Sequence, residues 1–522
     1  MASAFDGATC SNNKDDNLVT YEEALSRIRR VAAPNHVRNA TTVNQSSLAE
    51  STKNDSSWKT WNESETFTSP LLRAVGLISA QTLVAPHATP EYDTSAMDGF
   101  AVCSASTVHA TEEHPLTFRV VDSIAAGDSF KCKLSSNTEC HEAERVCVEI
   151  MTGAVFPENR LPQLDGVVKI EDVVMTEDYF DGGQVVSRCI RVSQPVKARQ
   201  HRRPAGSDFQ KGDLLIQQGD QVQPCHVAAL ASLGLHELCV YGSHKLRHLN
   251  LLNTEGKLDV AVLSTGSEVL SHSPPMRQPY AMDPEKHIIP DSNGPYLVST
   301  LRQKYPNLAV RYVGVAIDKE EALLNILTDV LRSGCETVIT SGGVSRGRYD
   351  LIRYVVETLM GGKVIFHGVK IRPGAPLLFA TFDDDSKKGI DLTGRRVAFF
   401  GVPGNPVAAA AALQFFVVPY LEARLSTIAQ TTNACYQLRR VINGPPRAAN
   451  NMTMKEALRR KPKNTTVFWL SRRSASDSET VEITEDQASY KLSGLLEADS
   501  WVLVPATQTE IFRGDMLACC PL

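Results

Sequence analysis

Between residues 258 and 425 the chain alternates two kinds of segment, and this alternation constrains the fold more than any other feature. LDVAVLST (258–265), AVRYVGVA (309–316), ETVITSGG (336–343), KVIFHGVKI (363–371) and RVAFFGVPG (396–404) are short apolar runs rich in β-branched residues. Such runs read as strands buried on both faces. Between them lie segments with helical spacing: DSNGPYLVSTLRQKY (291–305), Lys319–Leu331, RYDLIRYVVETLM (348–360) and Pro406–Leu421. Strands that alternate with helices imply a doubly wound parallel sheet covered on both sides. In such a sheet, ligands sit at the carboxyl ends of the strands.

The flanking chain follows different rules. Tyr21–Val31 places Ala24, Leu25, Ile28 and Val31 on one helical face, and Leu71–Val84 again shows helical spacing before Pro86 and Pro90. Residues 36–69 are rich in Ser, Thr and Asn and read as a disordered insertion. From 100 to 199, short apolar stretches alternate with turns, which gives a β-rich domain. A short helix over Cys225–Leu235 precedes another strand, and residues 435–522 carry short strands with no long helix, fitting a small β-barrel. The expected organisation is an N-terminal helical and linker domain from 18–99 and 200–250, a β-rich domain at 100–199, an α/β domain at 258–425 and a C-terminal barrel at 435–522.

Bulk properties exclude several functions. Apolar residues make up 42% and the formal net charge is −5, so the surface as a whole does not attract nucleic acid, and an anionic ligand needs a local pocket. No run of about 18 uncharged apolar residues is present, so no membrane span is expected. The N-terminus lacks the basic start and apolar core of a secretory signal. Twelve Cys at irregular spacing, with no C-x-x-C pair, point to reduced thiols in the cytosol and argue against a zinc site.

The residues suited to chemistry gather at expected strand ends. Thr340-Ser341-Gly342-Gly343-Val344-Ser345 joins a strand to a helix, and its glycines let backbone amides approach a phosphate. Gly401-Val402-Pro403-Gly404-Asn405-Pro406 does the same, with Asn405 as cap and Pro406 in the first helical position. A tight turn without ligand explains either segment equally well. Arg372, followed by Pro373 and Gly374, offers a guanidinium fork for an oxyanion or remains a solvated surface group. Asp98, Asp291, Asp318 and Asp350 stand at strand ends, turns or helix starts, where a carboxylate can hold a hard cation such as Mg²⁺. Asp318 has Glu321 three residues on, a capping-box pattern, and Asp291 also fits a helix cap. In the β-rich domain, Thr152 and Gly153 follow a strand, and Gln200–Asp208 forms a basic loop ending in a carboxylate. These spacings reach an α/β domain that binds a phosphorylated ligand with a divalent cation, and no further.

The ordered set of motifs resembles the molybdenum insertase family, the molybdopterin molybdenumtransferases. Ser95-Ala96-Met97-Asp98-Gly99-Phe100-Ala101 is similar to the family's S-A-M-D-G-[YF]-A, and the likeness continues through Ile150–Ala154, Gln200–Asp208, Ser264-Thr265-Gly266, Asp291-Ser292-Asn293, Ser341–Ser345 with Asp350, and Gly401–Val407. The resemblance implies a homodimer with its site in a cleft shared between subunits. It implies adenylylated molybdopterin and molybdate as substrates, Mg²⁺ as cofactor, AMP release, and docking of a molybdopterin adenylyltransferase partner. Carried to matching positions, it implies Asp98, Asp291 and Asp318 as catalytic and Asp291, Asp318 and Asp350 as metal contacts. Thr152, Gly153, Ser341, Gly342, Gly343, Ser345, Arg372, Pro373, Gly374, Gly404, Asn405 and Pro406 would then line the substrate. The chain departs from the family's K-P-G-x-P loop, where Arg372 replaces the first Lys and Ala375 fills the variable position, and Arg346 and Arg348 add positive charge after Val344. Two other readings stand beside this one. A molybdopterin adenylyltransferase would carry T-G-G-T-G at the strand end and lack the flanking β-rich domains. A non-catalytic scaffold on the same fold would tolerate the altered Arg372–Ala375 loop.

Overall fold

A computed structural model describes residues 18–32, 65–128, 145–157, 161, 163–180, 184–242, 258–272, 287–345, 351–383, 392, 394–426, 437–441, 462–474, 477, 479–508 and 510–522. The central sheet has six strands in the order Ala309–Ala316, Asp259–Thr265, Thr337–Ser341, Val397–Val402, Leu378–Phe382 and Lys363–His367. The first four are parallel. Leu378–Phe382, a strand that the sequence pattern did not single out, runs antiparallel to both of its neighbours, so Lys363–His367 points the same way as the first four. The edge thus extends the parallel core as a mixed sheet, a common arrangement in doubly wound domains.

Alternation along one strand explains why both faces are covered. Val260 and Val262 face one core, with Leu297 and Phe400, while Ala261 and Leu263 face another, with Leu323 and Phe399. Helices Asn293–Lys304 and Pro406–Ser426 pack on the first side, and Glu320–Arg332 on the second. Pro406–Ser426 is continuous, with a π turn over Leu413–Val417. By length and composition Pro406–Leu425 could cross a membrane. Here its side chains fill the space between sheet and barrel, which is why it is apolar all round. The expected helix over 348–360 begins at Ile352, and its first residues, with Asp350, lie outside the described residues.

The C-terminal strands Gln437–Val441, Thr466–Arg473, Thr480–Ile483, Ser500–Val504 and Met516–Pro521 close on themselves, since Thr466–Arg473 pairs with both Thr480–Ile483 and Ser500–Val504. Closure leaves no free edge. The β-rich domain is a six-stranded sheet from Gly99–Val102 to Gln184–Val192.

Three short antiparallel ladders tie the remaining N-terminal segments together: Thr66–Pro70 with Glu237–Tyr241, Leu83–Val84 with Leu214–Ile216, and Thr94–Ser95 with Arg202–Arg203. Two expectations need correction. Thr66–Ser69, expected in a disordered insertion, form a strand, because Thr66–Pro70 has a full antiparallel partner; residues 36–64 lie outside the described residues. Leu71–Val84 is not a helix. Only Leu71–Arg73 turn helically, Gly76 takes a φ of +83°, and Ile78 and Ser79 bridge to Gln221 and Val240. Burial of Leu71 and Ala74 accounts for the apolar spacing without a helix. Helix Tyr21–Ala32 forms as expected, and Tyr21 packs its ring against Phe416 and Phe468, so this helix seats on the core helix and the barrel.

Candidate active site

One cavity of about 630 Å³ opens where the carboxyl ends of the parallel strands face the β-rich and N-terminal segments. It is lined by Asp98, Thr152, Gly153, Asp291, Asp318, Ser341, Gly342, Gly343, Ser345, Gly404, Asn405 and Pro406, so the structure brings these expected residues together. A single chain supplies all of them.

Each carboxylate is held differently. The Thr152 amide and hydroxyl both donate to Asp98 Oδ1 at 2.8 Å, which fastens the β-rich turn to the S-A-M-D-G loop. Gly99 follows because a Cβ there would lie 2.0 Å from the Val168 carbonyl oxygen. Asp291 is only 3% exposed. The Tyr312 hydroxyl donates to its Oδ2 at 2.7 Å and the Gly294 amide to its Oδ1 at 3.1 Å. Burial pushes its carboxyl up, and the hydrogen bonds from Tyr312 and the Gly294 amide pull it back. Asp291 thus serves the start of helix Asn293–Lys304 and the cavity wall at once. Asp318 does not cap a helix as the spacing with Glu321 suggested. Helix Glu320–Arg332 has no side-chain cap bond, and Asp318 instead accepts from the Ser267 amide at 3.1 Å while its own amide donates to Ser267 Oγ at 3.1 Å. Burial raises its carboxyl, and the Ser267 bond lowers it.

The two glycine turns are locked together by one side chain. Asn293 Nδ2 donates to Ser341 Oγ at 2.8 Å and to the Gly404 carbonyl at 2.7 Å. Gly342 takes a φ of +95° and Gly343 +65°, and a Cβ on Gly342 would lie 2.7 Å from the Thr265 carbonyl oxygen. The S-G-G turn is therefore a close backbone approach that only glycine permits. Pro406 at the first helical position lines the cavity, and the next amide, that of Val407, is taken by the Ser489 carbonyl at 2.9 Å.

The Arg372 loop touches the cavity at one end only. Arg372 is exposed, and Ile371–Arg372 pairs in parallel with Thr466–Val467 of the barrel. Arg372, Pro373 and Gly374 are absent from the described cavity lining, and only Pro376 of that loop reaches it. Parallel pairing with the start of strand Thr466–Arg473 holds the segment against the barrel wall. Asp350 lies outside the described residues, and among the described residues no three His, Cys, Asp or Glu side chains gather closely enough to hold an ion by themselves. Hard carboxylate oxygens at Asp291 and Asp318 fit Mg²⁺, which takes one or two carboxylates and completes its shell with phosphate and water.

The sequence reading missed several lining or supporting residues. Glu268 lines the cavity, and burial with the nearby Asp318 charge pushes it up to about 7. Tyr312 orients Asp291 from the middle of a strand, where its sequence context reads only as sheet. Tyr490 reaches the cavity from the barrel.

Comparison with known proteins matches this layout. A family model described as the MoeA N-terminal region (domain I and II) matches residues 19–234, and one described as a probable molybdopterin binding domain matches 261–423. The molybdopterin molybdenumtransferase of Synechococcus elongatus is 30% identical over 445 residues, covering 85% of this chain and 92% of its own length. That of Haemophilus influenzae is 26% identical over 453 residues, covering 86% and 92%. The molybdopterin biosynthesis MoeA protein of Pyrococcus horikoshii OT3 aligns over 97% of this chain and 100% of its own, at 20% identity and a TM-score of 0.38. Matched in both its front and central parts, and along nearly the full length of a relative 30% identical to it, the chain belongs to the molybdenum insertase family, whose members act in molybdenum cofactor biosynthesis.

Proposed function

We propose that this transferase inserts molybdate into adenylylated molybdopterin, with Mg²⁺-dependent hydrolysis of the adenylate and release of AMP. The observation that carries the reading is the meeting of Asp98, Asp291, Asp318 and both glycine turns on one cavity. Phosphoanhydride hydrolysis needs charge neutralisation and an aligned water more than covalent catalysis. Asp291 and Asp318 would hold Mg²⁺ against the phosphates, and the ion supplies that neutralisation. The Gly342 and Gly343 backbone lets phosphate oxygens approach closely. Asn293 keeps the two turns at a fixed separation, and Asp98, tied to Thr152, fixes the opposite wall. Water attacks the adenylyl phosphorus, the P–O bond to the pterin phosphate breaks, and AMP leaves with the attacking oxygen.

The cytosol is the proposed compartment, supported by the eight described cysteines, which are all free. A homodimer and delivery by a separate adenylyltransferase follow from the family reading. The site walls described above need no second copy to meet.

The test is AMP release from adenylylated molybdopterin. Wild-type protein is expected to release AMP only with molybdate and Mg²⁺ both present, and Asp291→Asn to lose at least about tenfold, since one charge-assisted contact is worth about 1.5–3 kcal/mol. An unchanged rate in Asp291→Asn removes Asp291 from the reaction. Release that is indifferent to molybdate removes the insertase reading.

A further inference from the structure

The cavity is acidic in the main. Seven of the described residues lining it carry carboxylates, and one, Arg203, is a Lys or Arg. Carboxylates suit the divalent cation but repel a dianion such as molybdate. Arg346 and Arg348 lie outside the described residues.

Arg202 and Arg203 are neighbours on one short strand, so their side chains leave on opposite faces. Arg202 donates from Nε to Asp93 Oδ2 at 2.6 Å and lies over the Phe156 ring at 4.6 Å. Its charge is balanced. Arg203 makes no ion pair with any described residue. It stacks over the Tyr490 ring at 4.2 Å and donates from Nη2 to Asn405 Oδ1 at 3.3 Å, while its Nε is buried with no hydrogen-bond partner. Burial lowers this guanidinium to about 10, so it remains charged at neutral pH. The Thr89 hydroxyl, on the same cavity wall, is likewise buried without a partner. A buried cation with an unmet donor is costly unless an anion completes it.

The backbone leading to Arg203 is strained as well. Arg199 and His201 hold φ values of 59° and 55°, two of the three positive-φ residues other than glycine among the described residues. Strain of this kind persists where surrounding structure holds a functional loop in place. Tyr490 from the barrel and Asn405 from the α/β domain, meanwhile, fix the guanidinium plane. A stacked, planar fork of this sort is suited to tetrahedral oxyanions.

We propose that Arg203 is the oxyanion-binding cation of this cavity, taking a tetrahedral oxyanion on the terminal guanidinium protons that face the cavity and are not used by Asn405. The choice of oxyanion rests on the insertase reading: it is either molybdate or a phosphoryl group of the nucleotide. Molybdate and AMP are titrated separately into wild type, Arg203→Met and Arg203→Lys by calorimetry with Mg²⁺ present, and the ligand-free melting temperature of each is recorded. Arg203→Met is expected to weaken at least one of the two ligands by about tenfold or more. Arg203→Lys, which keeps the charge and loses the fork, is expected to fall between. Weakening of molybdate alone assigns that oxyanion, weakening of AMP alone assigns the phosphoryl group, and weakening of both places them on the same guanidinium. Equal affinities for both ligands in all three proteins overturn the proposal, as does a wild type that binds neither. If Arg203→Met melts far below wild type, the Arg203→Lys titration decides by the same criteria. Turnover plays no part in this measurement. Binding that depends on Arg203, with no molybdate-dependent AMP release, would sink the insertase chemistry alone, and the converse would sink only the role of Arg203.

Discussion

At the residue scale the site is defined by how each carboxylate is tethered. Asp291 is the most constrained. A Cβ on Gly294 would lie 2.5 Å from Asp291 Oδ2 and 2.5 Å from Tyr312 Cε2, so the helix start leaves no spare room around this side chain. Its carboxyl is raised, first by burial. The folded chain therefore holds that proton more tightly than the unfolded chain does. This contribution to stability is full below the ordinary value of 3.8 and is lost as pH rises through the folded value. Without divalent cation, Asp291→Asn is expected to melt above wild type at pH 7, with the gap shrinking as pH falls toward 3.8. Scanning calorimetry across that range checks it. A lower melting temperature at pH 7 would mean that the bonds from Tyr312 and Gly294 outweigh burial of the charge. A more stable variant with less activity would also separate a functional loss from a folding one. Asp291 was legible in the sequence as a carboxylate before a helix. Glu268 and Tyr312 were not, because nothing local marks a strand tyrosine or a loop glutamate as facing a cavity assembled from distant segments.

At the element scale, the decisive pieces are turns rather than strands or helices. The S-G-G turn passes against the end of strand Asp259–Thr265 and is hydrogen-bonded to strand Val397–Val402 through the Gly342 amide and the Val402 carbonyl at 3.0 Å. Gly342→Ala forces a Cβ onto the Thr265 carbonyl oxygen at positive φ. It is expected to cost about 1–3 kcal/mol of stability and most of the AMP-releasing activity. Urea denaturation and the release assay measure the two effects, and an unaltered rate would show that the turn does not position phosphate. Periodicity read the long elements of this domain well, since helices and buried strands leave repeating patterns. It misread Leu71–Val84, where buried apolar residues recur at helical intervals for reasons of packing across two antiparallel bridges.

At the scale of the whole molecule, aromatic packing joins the pieces. Phe468 of the barrel stacks on Phe415 of the core helix with centroids 3.8 Å apart, and Tyr21 of the N-terminal helix meets it edge-on at 5.3 Å. Three regions of sequence thus share one buried ring. Phe468→Ala is expected to cost about 3–5 kcal/mol and to split the thermal transition, with the barrel melting separately from the α/β domain. A single unshifted calorimetric peak would show that this contact does not couple them. The same convergence positions the cavity, because Arg203, Asn405 and Tyr490 reach it from three different segments.

The sequence by itself determined the α/β domain, the barrel and the motifs that identify the family, because hydrophobic period, turn chemistry and ordered motifs are local properties of the chain. Tertiary structure alone decided which of the marked residues share a cavity. It joined Asp98 and Thr152 to the glycine turns, paired Arg372 with a barrel strand and kept it out of the cavity lining, and left Arg203 as the cavity's cation among the described residues. Those outcomes depend on which distant segments pack together and on which charges find partners once buried, and neither is written in any single stretch of the chain.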